Sequence, residues 1–279
     1  MSATELGRVP AGLGTTEPNP AKSRKARTRI SLRLALPPVI LLVAVCTVLE
    51  ILSATKVLNP MAFPAPSSIA QSSWTLLADA FFWESMKITT WETVAGFLIG
   101  SAGGFAIGAL CGTSSAFNRA VYPWVVVLQN TPRVALAPIF LTWFGFGLSS
   151  KIAMAVTICF FPLVINTIVG MASTDPSAKL MMRSLGATRS QMFFRLTLPS
   201  AAPVIFAGLK NAMTLALIGA IVGEFVGADI GIGVLIQQYQ FKLDVAGGFA
   251  LVLLLAVAGL ILYGVVAWFD RRFIFWQGK

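Results

Sequence analysis

Polar and charged side chains set inside apolar stretches are where this sequence could do chemistry. Arg133 sits in "LQNTPRVALAP" beside Gln129 and Asn130. Lys210 and Glu224 share one apolar run, 14 residues apart, which is about 21 Å along a helix, so they cannot pair within it. Asn166 lies in another such run. These residue types suit contact with a polar solute or with a neighbouring helix better than bond-making. The chain has no histidine, and so lacks the usual general base and the commonest zinc ligand. Cys46, Cys111 and Cys159 are far apart in apolar surroundings and read as small hydrophobes, not as a metal or disulfide framework. No G-x-x-x-x-G-K-[ST] phosphate loop occurs, so ATP is not bound by that route.

The elements that must position these residues are set by composition. The 279 residues are 56% hydrophobic and only 11% charged, with a mean hydropathy of +0.79. Soluble domains carry about 25% charged residues, so the solvent for much of this chain is lipid. A net charge of +10 does not indicate nucleic acid, because that reading needs a basic face on a soluble domain. Apolar stretches of bilayer length fall near 35–53, 89–112, 122–144, 152–172, 200–226 and 249–268. The expectation is an all-α, polytopic integral membrane protein with about six transmembrane helices. With the N-terminus inside, fifteen Lys and Arg fall on cytoplasmic pieces and four (Lys56, Lys87, Lys151 and Lys242) on outside pieces. Both termini are therefore expected in the cytoplasm.

Residues 1–34 are polar and end in the basic run "KSRKARTRISLR", which reads as a disordered basic cytoplasmic tail ahead of a membrane domain over 35–279. The second span carries Gly96, Gly100, Gly104, Gly108 and Gly112 at four-residue spacing, a stripe suited to close approach of another helix. Between the first two spans, Ser67 or Ser68 is expected to cap a short helix at the outer interface, with Ile69, Trp74, Leu77 and Phe81 on it.

Arg133 is about eleven residues into the third span, roughly 16 Å deep. Arginine there costs on the order of 3 kcal/mol unless paired or hydrated. A pathway role, snorkelling toward the cytoplasm and a structural ion pair all remain open from sequence. Pro132 and Pro138 flank it, and irregular backbone at that depth needs protein or water around it. Lys210 reads as a helix-contact or pathway residue, Glu224 as a holder of the outer loop or a substrate contact, and Asn166 as an interhelical hydrogen-bonder.

One segment interrupts the apolar pattern. "KLMMRSLGATRSQMFFRLTLPSAAP" puts four positive charges and a glycine between the fourth and fifth spans. Met181, Leu185, Met192 and Leu196 recur at steps that place them on one helical face, and Gly186 suggests two short helices meeting at a glycine turn. Such a segment either lies on anionic lipid or docks in a groove of a soluble partner.

"SLGATRSQMFFRLTLPSAAPVIFAGLK" resembles the signature loop of binding-protein-dependent ABC importer permeases, with Gly186 on the signature glycine, Leu196 near its aliphatic position and Leu198-Pro199 on its Leu-Pro. "PAPSSI", "VALAPIFLTWFGFGLSSKI", "FFPLVINTIVG" and "IGAIVGEFVGADIGIGVLI" are similar to the nitrate/sulfonate/taurine branch. "LMMRSLGAT…FAGLK…VGEFVGAD" is similar to the sub-branch importing thiamine-precursor pyrimidines, riboflavin and aromatic acids. Leu180-Met181-Met182 stands where the family has Glu-Ala-Ala.

The resemblance implies a MetI-like ABC permease fold with a cytoplasmic coupling helix over about 174–199. The coupling residues would be Met181, Arg183, Leu185, Gly186, Arg189, Met192, Leu196 and Pro199. The possible pathway residues are Gln129, Asn130, Arg133, Asn166, Lys210 and Glu224. It also implies a non-catalytic subunit of the bacterial inner membrane, working as a homodimer with two ATPase subunits that bind ATP and Mg, and with an extracytoplasmic binding protein. The solute would be small and polar or anionic. A gradient-driven secondary transporter or channel is the alternative; Glu50, Glu92 and Glu224 all lie toward outer ends of spans, which gives no proton relay at midplane.

Overall fold

The structure, a computed structural model, describes residues 20–55, 59 and 62–274, with side chains from Pro37 onward. Two units are distinguished, residues 1–57 and 58–279. The first contains helix α1, Pro20–Ala54. Its apolar part, Pro37–Ala54, is long enough to cross a bilayer. The expected disordered tail is thus helical from Pro20, because Ala, Arg, Lys and Leu dominate residues 21–36 and favour helix; residues 1–19 lie outside the described residues.

Every regular element described in the second unit is helical. Helix α2 spans Pro66–Ala78 and α3 Ala80–Thr113. Helix α4, Ser115–Asn130, is followed by a 3₁₀ turn at Arg133–Leu136 and by α5, Ala137–Phe144. Helix α6 covers Leu148–Ala172. Two short helices, α7 (Pro176–Ser184) and α8 (Arg189–Met192), lead through a π-helical turn at Phe193–Thr197 into α9, Leu198–Gly227. Helices α10, Ile232–Phe241, and α11, Val245–Phe273, complete it.

Helix α6 forms the centre, between α3 and α9. The glycine stripe of α3 explains how closely the first pair packs. A Cβ on Gly96 would strike that of Ala155, one on Gly104 would come 2.8 Å from the Phe160 carbonyl oxygen, and one on Gly112 2.5 Å from Met171 Sδ. Helix α9 answers from the other side with Gly219 and Gly223, which face Ala155 and Lys151. Lipid gives helices no hydrophobic reason to associate, so close backbone approach and dispersion hold this layer together. Cys159 is buried within it, among Phe97, Ala212 and Ala216.

Three expectations change here. The third span is not continuous: α4 and the Arg133–Phe144 segment meet at 87°. Thr131, before a proline, is extended, and Pro132 has no N–H to continue the ladder. Pro138 sits harmlessly in the first turn of α5. Helix α2, expected at the outer interface, is not capped by Ser67 or Ser68. Pro66 presets the first turn, Ala65 is the flanking residue, and Ser68 Oγ donates to its carbonyl at 2.7 Å. Of its apolar residues Leu76 is the buried one, packed with Phe82, Leu235 and Leu251, while Trp74 stays exposed and Phe81 belongs to α3. Lys151, counted as an outside loop residue, is 2% exposed inside α6.

Candidate functional site

The residues singled out from sequence fall into three places. The first is the hairpin between α6 and α9. Asp175 caps α7 by accepting from Ser177 N–H at 2.9 Å, and Pro176 occupies the first turn. Thr188 and Gln191 cap α8 reciprocally: Thr188 Oγ1 accepts from Gln191 N–H and Gln191 Oε1 from Thr188 N–H. Between the two helices Gly186 has φ +76°, a left-handed conformation that costs other residues roughly 1–2 kcal/mol. Local sequence chemistry therefore fixes both ends of the turn.

Met181, Met192, Leu185 and Leu196 do not share one face as their spacing suggested, because the turn at Gly186 reorients α8. Leu180, Met181 and Leu185 point outward, Leu185 76% exposed. Met192 lines a cavity of about 630 Å³ on the inner side, together with Lys179, Arg183, Arg189 and Phe193. Leu196 and Pro199 are half-buried where the chain enters the bundle. The hairpin thus presents an apolar edge that is exposed among the described residues and holds a basic concavity behind it.

The second place is the break between α4 and α5, which brings Gln129, Asn130 and Arg133 together. The Arg133 guanidinium donates to the carbonyls of Gln129 (2.8 Å) and Ile158 (3.0 Å) and lies 5.2 Å from the Phe161 ring centroid. Among the described residues of the second unit no carboxylate lies within ion-pairing distance of it. The open ladder at the break supplies one of these acceptors, so a half-buried cation and broken backbone satisfy each other. Asn130 Nδ2 donates to Val126 O at 2.8 Å, and Gln129 Oε1 is buried without a partner.

The third is a buried polar knot around Glu224. Glu224 Oε1 accepts from the Thr89 hydroxyl and Oε2 from Gly233 N–H, each at 2.5 Å. Thr89 Oγ1 also accepts from Ile232 N–H at 2.9 Å. The carboxylate therefore caps α10, where a negative charge is favoured. Gly231 (φ +150°) lets the backbone approach it, since a Cβ there would overlap the carboxyl carbon. Glu92, one turn beyond Thr89, meets the same carboxyl group, with its own Oε2 buried and unpartnered. Lys151 brings a positive charge nearby and donates to the carbonyls of Phe146, Gly147 (3.1 Å) and Gly227 (2.5 Å). Of this knot sequence reasoning singled out only Glu224, as a holder of the outer loop or a substrate contact.

The remaining two residues stand apart. Lys210 Nζ pairs with Asp270 at 2.8 Å and ties α9 to α11. Asn166 was expected to bond between helices, but its Nδ2 donates to Pro162 O of its own helix at 2.8 Å. The α9 residue against it is Gly208, which offers no side-chain partner. One further feature was not singled out from sequence: Ala207, Asn211, Thr214 and Ile218 form an exposed stripe along the middle of α9, whose other residues between 207 and 218 are buried or half-buried.

Residues 104–275 match the family "binding-protein-dependent transport system inner membrane component". The chain is 32% identical over 245 residues to the formylaminopyrimidine transport permease protein ThiX of Halalkalibacterium halodurans, covering 88% of this chain and 97% of that one. It is 31% identical to the riboflavin transport system permease protein RibX of Chloroflexus aurantiacus, over 77% and 81%. It is 29% identical to the putative aliphatic sulfonates transport permease protein SsuC of Escherichia coli, over 88% and 93%. A solved inward-facing structure of the MetNI methionine ABC transporter superposes with a TM-score of 0.62 at 17% identity, covering 69% of this chain and 96% of that one. Fold, loop and sequence kinship agree: the chain belongs to the binding-protein-dependent transport family, as a MetI-type, non-catalytic permease subunit of an ABC importer of the nitrate/sulfonate group.

Proposed function

We propose that two copies of this chain form the pathway for a small polar or anionic solute, delivered by an extracytoplasmic binding protein and driven by two ATPase subunits that bind ATP and Mg. The observation that carries this reading is the hairpin at 175–199. It joins α6 to α9, the most closely packed helix pair, and leaves Leu180, Met181 and Leu185 exposed among the described residues. An apolar edge of this kind suits a groove in a soluble partner, and movement of that edge would be transmitted to the packed centre of the bundle.

The pathway would run between the two copies. Support comes from the α9 stripe, because Asn211 and Thr214 are exposed and polar side chains within spans face protein or water rather than lipid. Arg133 and the exposed Asn130 at the helix break would supply positive charge and hydrogen bonds to a passing solute. Relatives named for formylaminopyrimidine, riboflavin and aliphatic sulfonates suit a small polar or anionic cargo. Both termini would lie in the cytoplasm of a bacterium with the chain in its inner membrane; with Lys151 buried, the charge asymmetry behind this orientation is sharper than from sequence.

The test is uptake into proteoliposomes holding the chain, its ATPase and its binding protein loaded with radiolabelled solute. Uptake should require ATP and survive collapse of the ion gradients. Uptake that persists without ATP and stops when the gradients collapse would overturn the reading in favour of a secondary transporter.

A further inference from the structure

The concavity behind the hairpin has a composition that docking of the outer apolar edge does not use. Lys179 and Arg183, one turn apart on α7, and Arg189 on α8 line one cavity of about 630 Å³. Its other walls are the end of α3 and the start of α4, Gly112 to Ala116, with Met192, Phe193 and Thr197. No acidic residue is among the lining residues, and none of the three cations forms an ion pair within the second unit's described residues. Three like charges held around one hollow repel each other unless an anion sits between them.

The cavity also has a defined place. One wall is the C-terminal end of α3, a helix long and apolar enough to cross a membrane. Arginine forks match phosphate oxygens with paired N–H donors, and lysine adds a point charge. We propose that this cavity binds a phosphate-bearing anion, for which the adjoining leaflet offers the headgroup of an anionic phospholipid such as phosphatidylglycerol. Bound there, the headgroup bridges α7, α8 and the α3–α4 corner and holds the hairpin against the bundle. The apolar edge of Leu180, Met181 and Leu185 stays free for another partner.

The test uses the full chain in nanodiscs without any ATPase, so its failure is distinct from failure of the coupling reading. Retention of phosphatidylglycerol against phosphatidylcholine is measured by native mass spectrometry. The wild type should favour phosphatidylglycerol at least tenfold, and the triple variant Lys179→Gln, Arg183→Gln, Arg189→Gln should bring the ratio near unity. Arg195→Gln, exposed on the same hairpin but outside the cavity, should leave it unchanged. Should the triple variant lose its helical circular dichroism, the single Arg183→Gln should still lower the ratio about threefold. A second arm adds glycerol 3-phosphate or inorganic phosphate at millimolar concentration. Displacement of the lipid shows that the phosphate is recognised wherever it comes from; no displacement, with the variants still defective, identifies the lipid. Equal retention in wild type and variants, or equal loss in Arg195→Gln, overturns the proposal.

Discussion

Removing the Glu224 carboxylate should open the start of α10. Glu224 Oε1 and Oε2 accept from the Thr89 hydroxyl and from Gly233 N–H, both at 2.5 Å, in a site 1% exposed. Hydrogen bonds to a charged acceptor contribute about 1.5–3 kcal/mol each, so Glu224→Ala should lose about 3–6 kcal/mol locally. It also leaves a buried N–H without an acceptor and takes a carboxyl group away from Lys151. Glu224→Gln keeps one acceptor but turns an NH₂ toward the other donor, for a loss of about 2–3 kcal/mol. Each 1.4 kcal/mol is tenfold in an opening equilibrium, so the Gly233 amide should exchange at least about 100-fold faster in Glu224→Ala. Thr89→Val, of similar volume, should free the Ile232 amide in the same way. Hydrogen–deuterium exchange of 228–242 in detergent or nanodiscs is the assay, with α11 peptides as internal reference. Unchanged exchange at Ile232 and Gly233 in Glu224→Ala would refute the cap.

Two further outcomes test the packing. Gly104→Leu should destabilise the bundle by about 1–3 kcal/mol, because its Cβ would lie 2.8 Å from a backbone oxygen of α6. Gly103→Leu, whose Cβ would meet only the Phe160 ring at 3.4 Å, should cost much less; equal losses in thermal unfolding would count against the stripe as the α3–α6 contact. In a double-mutant cycle Lys210→Met and Asp270→Asn should couple by about 0.5–1 kcal/mol, a modest value because the pair is about a fifth exposed. A coupling of zero would reduce it to a coincidence of two flexible side chains.

What could be read in advance depended on how local each cause was. The α3 stripe was legible because a four-residue glycine period has one structural meaning in lipid; of the break, the irregular backbone beside Pro132 was legible because proline acts on its own neighbours, but the 87° bend into two helices was not. In the hairpin the turn at Gly186 was legible for the same reason, while the caps Asp175-Pro176 and Thr188-x-x-Gln191, equally local, were not singled out. The Glu224 knot was not, since Thr89 lies 135 residues away and threonine in a span is usually silent. Lys151 misled because a lysine at the start of a helix counts as loop by charge. Only the converging carbonyls of Phe146, Gly147 and Gly227, the last from α9, show why it is buried. The stripe of Asn211 and Thr214 was hidden because which face of α9 stays exposed depends on how α3, α6 and α11 pack around it.

The most direct test of the account is binding-protein-stimulated ATP hydrolysis by the assembled complex in lipid. The Cβ added by Gly186→Val meets nothing within 4 Å but is held at φ +76°, so the variant should distort the turn and leave the spans folded. Leu185→Asp would put a charge on the apolar edge, which is costly to bury in a groove. Both should abolish or strongly reduce stimulation while the chain still inserts and retains its helical content. Wild-type stimulation in both variants would contradict the claim that this hairpin carries the work of ATP hydrolysis into the membrane.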